Sequence, residues 1–137
     1  MKIMSNENHQ PNGSPKIKIL LVEDDPFLLS MYNTKFELEK FKVVTAEDGE
    51  KGLKLALKEL PDVILLDIML PRMDGFEVLK ALKADKKTSR IPVILLTNLS
   101  QKEKVKEGLS LGANDYLIKA HFMPSEVVEK IRKLINK

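Results

Sequence analysis

Six residues of this 137-residue chain have types and positions that could do chemistry together: Glu23, Asp24, Asp25, Asp67, Thr97 and Lys119. Oxygen ligands at such density suit a hard cation, and Mg2+ prefers octahedral oxygen coordination with few protein carboxylates and several waters. Asp24 and Asp67 are expected to bind it directly and Glu23 through water. Mg2+ also favours an incoming phosphoryl group, because it offsets repulsion between that anion and the carboxylates. Asp67 could then attack phosphorus as a nucleophile and become an aspartyl-phosphate. Lys119 would pair with one phosphoryl oxygen and the Thr97 hydroxyl with another. Capping of a following helix explains one or two of the acids at 23–25 well, with Asp24 or Asp25 as N-cap and Pro26 in the first turn, but a third less well.

These residues must be brought together by the elements that carry them. The run Val63-Ile64-Leu65-Leu66 is almost purely branched and apolar, which suits a strand buried on both faces at the centre of a parallel sheet. Asp67 then stands at its carboxyl end. Residues 17–22 give a first strand ending in the acid cluster, 41–45 a second, 93–96 a fourth stopping at Thr97, and 115–119 a fifth ending in Lys119. Helical periodicity falls between them. Residues 27–40 carry Phe27, Leu28, Met31, Tyr32, Phe36 and Leu38, and residues 50–60 turn Leu53, Ala56, Leu57 and Leu60 inward. Residues 76–84 follow an Asp74 N-cap and turn Phe76, Val78, Leu79 and Leu82 inward. Residues 102–111 carry Val105, Leu109 and Leu111 and stop at Gly112, and residues 125–135 start near a Ser125 cap. Strict β-α alternation implies right-handed crossovers and helices on both faces. The expected fold is therefore a doubly wound α/β/α sandwich with a five-stranded parallel sheet in flavodoxin-like order 2-1-3-4-5. In such sheets the ligand crevice lies beyond the carboxyl ends of the strands, above strands 1 and 3.

Composition narrows the function classes. Hydrophobic residues make up 43% and charged residues 31%, a globular balance at ordinary single-domain length. The net charge of +3, from 23 basic and 20 acidic residues, is too mild to argue for nucleic acid. With no cysteine there is neither a disulfide framework nor a thiolate metal site, which fits a reducing cytoplasm. No apolar run reaches the roughly 18 residues of a membrane helix. Residues 1–15 are polar and aperiodic and are expected to be a mobile tail, with His9 solvated, before a single domain over 16–137.

The stretches LLVEDD (20–25), LLDIMLPRMDG (65–75), LLT (95–97) and GANDYLIK (112–119) make the chain resemble a response-regulator receiver domain, the phosphoacceptor half of two-component signalling, of the single-domain chemotaxis-regulator type. The separations fit as well: 43 positions from Asp24 to Asp67, 30 to Thr97 and 22 to Lys119. The resemblance implies phosphorylation of Asp67 by a histidine kinase or histidine phosphotransfer protein, with Mg2+ held by Glu23, Asp24, Asp67 and the backbone carbonyl of Met69. It also implies a switch in which Thr97 moves toward the phosphoryl group and Tyr116 turns inward. The face formed by helix 4, strand 5 and helix 5 would then bind an output partner or a second copy. On residues alone, Tyr116 reads rather as a half-buried strand aromatic with its hydroxyl in water.

Four positions depart from the family pattern. Ala120 follows the lysine where proline is usual, so the Lys119–Ala120 bond is either trans with a shifted loop or a strained cis bond. Asn98 stands where a small residue is common. Met69 and Leu99 are apolar where some members place groups that orient a hydrolytic water, which predicts slow self-dephosphorylation. Since the chain ends directly after the fifth helical pattern, it is expected to be either a stand-alone receiver or a piece of a longer protein. Two other classes compete with phosphotransfer: a receiver-like interaction module that works without phosphorylation, and a turnover phosphatase. The latter usually shows a second Asp two residues after the first, where this chain has Met69. A flavin or nucleotide binder would need a phosphate-cradling glycine loop after strand 1, and none follows. The chain is thus expected to be a phosphoacceptor rather than a turnover enzyme.

Overall fold

A computed structural model of the protein describes residues 16–98, 102–119 and 123–135. Strands and helices alternate through them: β1 (Lys18–Val22), α1 (Pro26–Leu38), β2 (Lys42–Ala46), α2 (Gly49–Glu59), β3 (Val63–Asp67), α3 (Gly75–Ala84), β4 (Val93–Thr97), α4 (Lys102–Ser110), β5 (Asp115–Ile118) and α5 (Pro124–Ile135). All neighbouring strands run parallel, in the order β2-β1-β3-β4-β5. This is the doubly wound order expected from the alternation. The expected tail, residues 1–15, lies outside the described residues, as do Leu99 and the Lys119–Ala120 bond.

Side chains leave a strand on alternate sides, so each central strand feeds two cores. Ile19, Leu21, Val63, Leu65, Ile94, Leu96 and Leu117 meet Tyr32 and Phe36 of α1 and Val127, Val128 and Ile131 of α5. Leu20, Val22, Ile64, Leu66, Val93 and Leu95 meet Ala56 of α2 and Val78, Leu79 and Leu82 of α3. On this second side α4 lies close to β4, because a Cβ on Gly108 would come within 2.2 Å of Leu95 Cδ1. Every residue of β3 and β4 is buried, whereas the edge strand β5 is mostly half-buried and β2 mixes exposed and half-buried residues with one buried. Full burial of each Leu or Ile contributes about 1.5–3 kcal/mol, so the two cores dominate stability.

Aspartates set the helix starts. Asp25 caps α1, accepting from Phe27 N at 2.9 Å and Leu28 N at 3.4 Å, with Pro26 in the first turn. Asp48 caps α2. Asp74 and Glu77 form a reciprocal capping box at the start of α3. Ser125 does not cap α5 as expected. Pro124 begins that helix, and the preceding Met123 has its amide taken by Glu126 Oε1 at 2.7 Å.

Some positions of the helical apolar pattern face outward, Leu60 against the expectation that it turns inward. Phe27 is 74% exposed and Leu38 71%, at the two ends of α1. Leu60 is half-exposed in a left-handed C-cap, and Leu109 also reaches solvent. Across the first core Tyr32 and Phe36 stack at 5.9 Å, and Phe41 meets Phe36 edge-on. Arg132 of α5 lies 4.9 Å above the Phe41 ring and pairs with Glu39 at 3.1 Å, tying α5 to the end of α1. Among the described residues, no helix is long and apolar enough to cross a membrane.

Candidate functional site

The carboxyl ends of β1, β3, β4 and β5 deliver the sequence-predicted residues to one crevice. In sheet register Val22 lies beside Leu66, Asp67 beside Leu96, and Thr97 beside Ile118. The last residues of β3 and β4, Asp67 and Thr97, and the first residues beyond β1 and β5, Glu23 and Lys119, therefore lie at the same edge. Directly after Asp67 the chain turns back on itself, with Gly75 N donating to Ile68 O at 2.8 Å. A Cβ on Gly75 would meet Asp67 O at 2.3 Å and Ile68 Cα at 2.7 Å, so only glycine lets α3 begin this close to the strand end.

The three consecutive acids have three separate environments. Asp25 is spent on the helix cap. Glu23 is fully buried, and its Oε2 accepts from the Asp25 amide at 2.9 Å. Asp24 is exposed and faces the crevice, where it lies with Glu23, Asn98 and Lys119 around an open hollow. One oxygen each of Glu23, Asp24 and Asp67 lies within 4.8 Å of the others.

Lys119 lies between the two buried acids. Its Nζ donates to Asp67 Oδ2 at 2.6 Å and stands 2.9 Å from Glu23 Oε1. The second contact is a charge pair without the alignment of a hydrogen bond. Asp67 Oδ1 accepts from the Met69 amide at 3.1 Å. Burial pushes the Asp67 carboxyl above its ordinary range, the Lys119 hydrogen bond and charge and the Met69 amide oppose that, and the Asp24 charge adds to it. Glu23 is also raised, first by burial and then by Asp67, with Lys119 and the Asp25 amide opposing. For Lys119, burial acts to lower the value, but its two carboxylate partners outweigh this and hold it above the usual lysine range. Tyr32, buried in α1, is raised by burial and by the charge on Glu23.

With all groups ionised, three carboxylates face one ammonium, and two of the carboxylates are out of water. Uncompensated buried charge costs several kcal/mol per ion, so this donor set favours a further cation. All its donors are hard oxygens and it contains no nitrogen or sulfur, which matches Mg2+ or Ca2+ rather than a soft metal.

The remaining predicted residues are close by. Thr97 is fully buried at the end of β4, and its hydroxyl donates to Asn98 O at 3.1 Å. Met69 is half-exposed past the end of β3, and Lys104 Nζ of α4 lies 3.9 Å from its sulfur. Tyr116 sits opposite Leu95 in β5, half-buried against the second core. Sequence reading missed Phe27 and Leu28 as walls of the hollow. The cap at Asp25 was the signal that could have found them, since it fixes the first turn of α1 at the site edge.

Comparison with known proteins is consistent with this geometry. Residues 19–132 match the family described as the response regulator receiver domain. The chain belongs to that family. Over 88% of its length the domain is 39% identical to the DNA-binding dual master transcriptional regulator RpaA of Synechocystis, matching 49% of that protein. The receiver domain thus spans about half the length of the curated relatives it matches. Among solved structures it resembles a putative response regulator from Chloroflexus aurantiacus, with TM-score 0.84 and 29% identity over 90% of this chain and all of that one. The receiver domain of the sensor histidine kinase PA1611 from Pseudomonas aeruginosa, with a magnesium ion coordinated in its active-site cleft, gives TM-score 0.82 and 28% identity, again over 90% of this chain and all of that one. Receiver domains are signalling switches of two-component systems, and this chain carries the acidic pocket of one.

Proposed function

We propose that Asp67 accepts a phosphoryl group from a phosphohistidine on a histidine kinase or phosphotransfer protein, in a Mg2+-dependent reaction. The observation that carries this reading is Asp67 itself: a buried carboxylate at the end of the central strand, 2.6 Å from Lys119 and within 4.8 Å of Glu23 and Asp24 oxygens. Glu23, Asp24, Asp67 and the Met69 carbonyl would hold the ion. When bound, Mg2+ supplies the positive charge that lets a phosphoryl anion approach three carboxylates.

The side chains divide the work. An Asp67 oxygen forms the new bond to phosphorus while the phosphorus–nitrogen bond to the donor histidine breaks, and the imidazole keeps the electron pair. Lys119 keeps Asp67 ionised beforehand and then turns its ammonium to a phosphoryl oxygen. The Thr97 hydroxyl exchanges its Asn98 carbonyl for another phosphoryl oxygen. Tyr116, on the strand beside β4, would turn inward as Thr97 shifts. The face built from α4, β5 and α5 would then change its affinity for an output partner or a second copy of the domain. Cytoplasmic location follows from such partners. With Met69 apolar at the site, the acyl phosphate is expected to be long-lived.

The test is incubation with Mg2+ and a small phosphodonor or beryllofluoride, beside Asp67→Asn. Support would be an adduct of one phosphoryl mass that needs Asp67, needs Mg2+ and persists. Multiple turnover of a phosphoester would move the domain to the phosphatases, and no adduct at all would leave an interaction module.

A further inference from the structure

The loop that carries Met69 is braced from a side that the chemistry does not use. Its Pro71 carbonyl accepts from Met73 N at 2.8 Å and from Gly49 N, the first residue of α2, at 3.3 Å. Arg72, at the loop's tip, has a left-handed backbone with φ 70° and lies 3.7 Å from the Asp48 carboxylate that caps α2. Gly49 is in closer contact still. A Cβ there would come 1.7 Å from Met73 O and 2.6 Å from Met73 C. Its backbone is not in the left-handed region, so nothing but this contact requires glycine.

From this contact we infer that the first turn of α2 is a positioning element for the phosphoacceptor loop, residues 68–74, and that Gly49 sets how near the loop lies to it. The inference rests on the reading of Asp67 and Met69 as Mg2+ ligands. The loop is closed at its ends by the Gly75-to-Ile68 hydrogen bond and at its start by the Met69-to-Asp67 one. A side chain at 49 therefore cannot be accommodated by local give at Met73. It must displace backbone by more than an ångström, and the displacement reaches the Met69 peptide. Gly49 and Asp48 are positioning residues, since neither is required to touch the ion.

The expected result separates positioning from mere folding. Alanine is the better helix former, so helix propensity alone would make Gly49→Ala neutral or stabilising. Positioning instead predicts Mg2+ binding about tenfold weaker by titration calorimetry on the full chain, the usual size of effect when a support behind metal ligands is removed. Ala56→Gly, in the interior of the same helix, serves as control. It should lower the melting temperature and leave the Mg2+ affinity unchanged. Wild-type affinity in Gly49→Ala, or equal weakening in Ala56→Gly, overturns the inference. A chain that fails to bind Mg2+ at all, or whose binding ignores Asp24→Asn, overturns the metal reading and this one with it. Should Gly49→Ala not fold, the unmodified chain decides by nuclear magnetic resonance. Gly49 and Met69 amide signals that move together and saturate at one Mg2+ concentration support the inference, and a still Gly49 beside a moving Met69 sinks it.

Discussion

The two rims of the sheet partner their polar side chains under opposite rules. At the amino rim the buried Thr88, the half-buried Lys83 and the exposed Asn114 are each met by backbone hydrogen-bonding groups. The Thr88 hydroxyl donates to Leu82 O at 2.7 Å, Asn114 Oδ1 accepts from Val93 N at 3.0 Å, and Lys83 donates to the carbonyls of Ser89 and Ile91 at 3.1 Å each. At the carboxyl rim, two buried acids share one ammonium and face a third acid in solvent. A satisfied group stabilises the fold, whereas a charge short of a partner stores free energy that a ligand can release. The amino rim holds the strands in place. The carboxyl rim carries more negative charge than its one ammonium offsets, an arrangement that suits a further cation.

Removing an acid at the carboxyl rim should therefore stabilise the fold, whereas removing the ammonium that the acids share, or a satisfied polar group at the amino rim, should destabilise it. The largest effect is expected from Asp67→Asn, which abolishes the phosphoryl adduct completely yet raises the melting temperature in metal-free buffer, since it removes an anion that burial disfavours. A melting temperature that falls by several degrees would erase the contrast. Lys119→Met should cost roughly 3 kcal/mol in urea unfolding, because Glu23 and Asp67 lose the cation they share. Mg2+ should restore part of that loss, and recovery absent at saturating metal would count against the shared site. At the other rim Thr88→Val should cost about 1–2 kcal/mol by leaving Leu82 O without its donor, while phosphorylation proceeds at the wild-type rate. A slowed rate there would mean that the rims are not independent.

The smallest effect concerns pH at the amino rim. Glu59 is held below its ordinary value of 4.5 by its hydrogen bond to Lys18 and by that residue's charge. A depressed carboxyl contributes stability above its unfolded value and loses it as pH falls through the folded one. The wild-type advantage over Glu59→Gln in urea midpoint should be constant from about pH 7 to pH 5 and fade below about 4.5. A constant difference down to about pH 3 would remove Glu59 from the pairing.

How much of this could be read from the sequence depends on how each residue is placed. Asp67 and Thr97 were legible because a parallel strand buried on both faces ends abruptly and its last polar residue can only project at the rim, and Lys119 because it follows the last residue of the edge strand β5. Choosing between Asp24 and Asp25 as the cap was not legible, because a one-residue shift of the helix start exchanges their roles. Leu60 was expected inward but is half-exposed, since periodicity reports an angle around the axis and says nothing of where the helix ends, and here Leu60 is the left-handed C-cap. Ser125 lost its expected role because Pro124 could begin the helix one residue earlier. The contact of Gly49 with Pro71 and Met73 leaves no trace in local pattern, being a meeting of backbones from distant segments.

The strand bearing Asp67 has neighbours on both sides and no residue in water. Its amide hydrogens are expected to exchange only when the whole domain opens, as in a rigid post. A group attached to the tip of a post cannot send its message down the shaft. Were Asp67 phosphorylated as proposed, news of it would have to leave sideways, through the turn that follows Asp67 and the neighbouring strand end at Thr97.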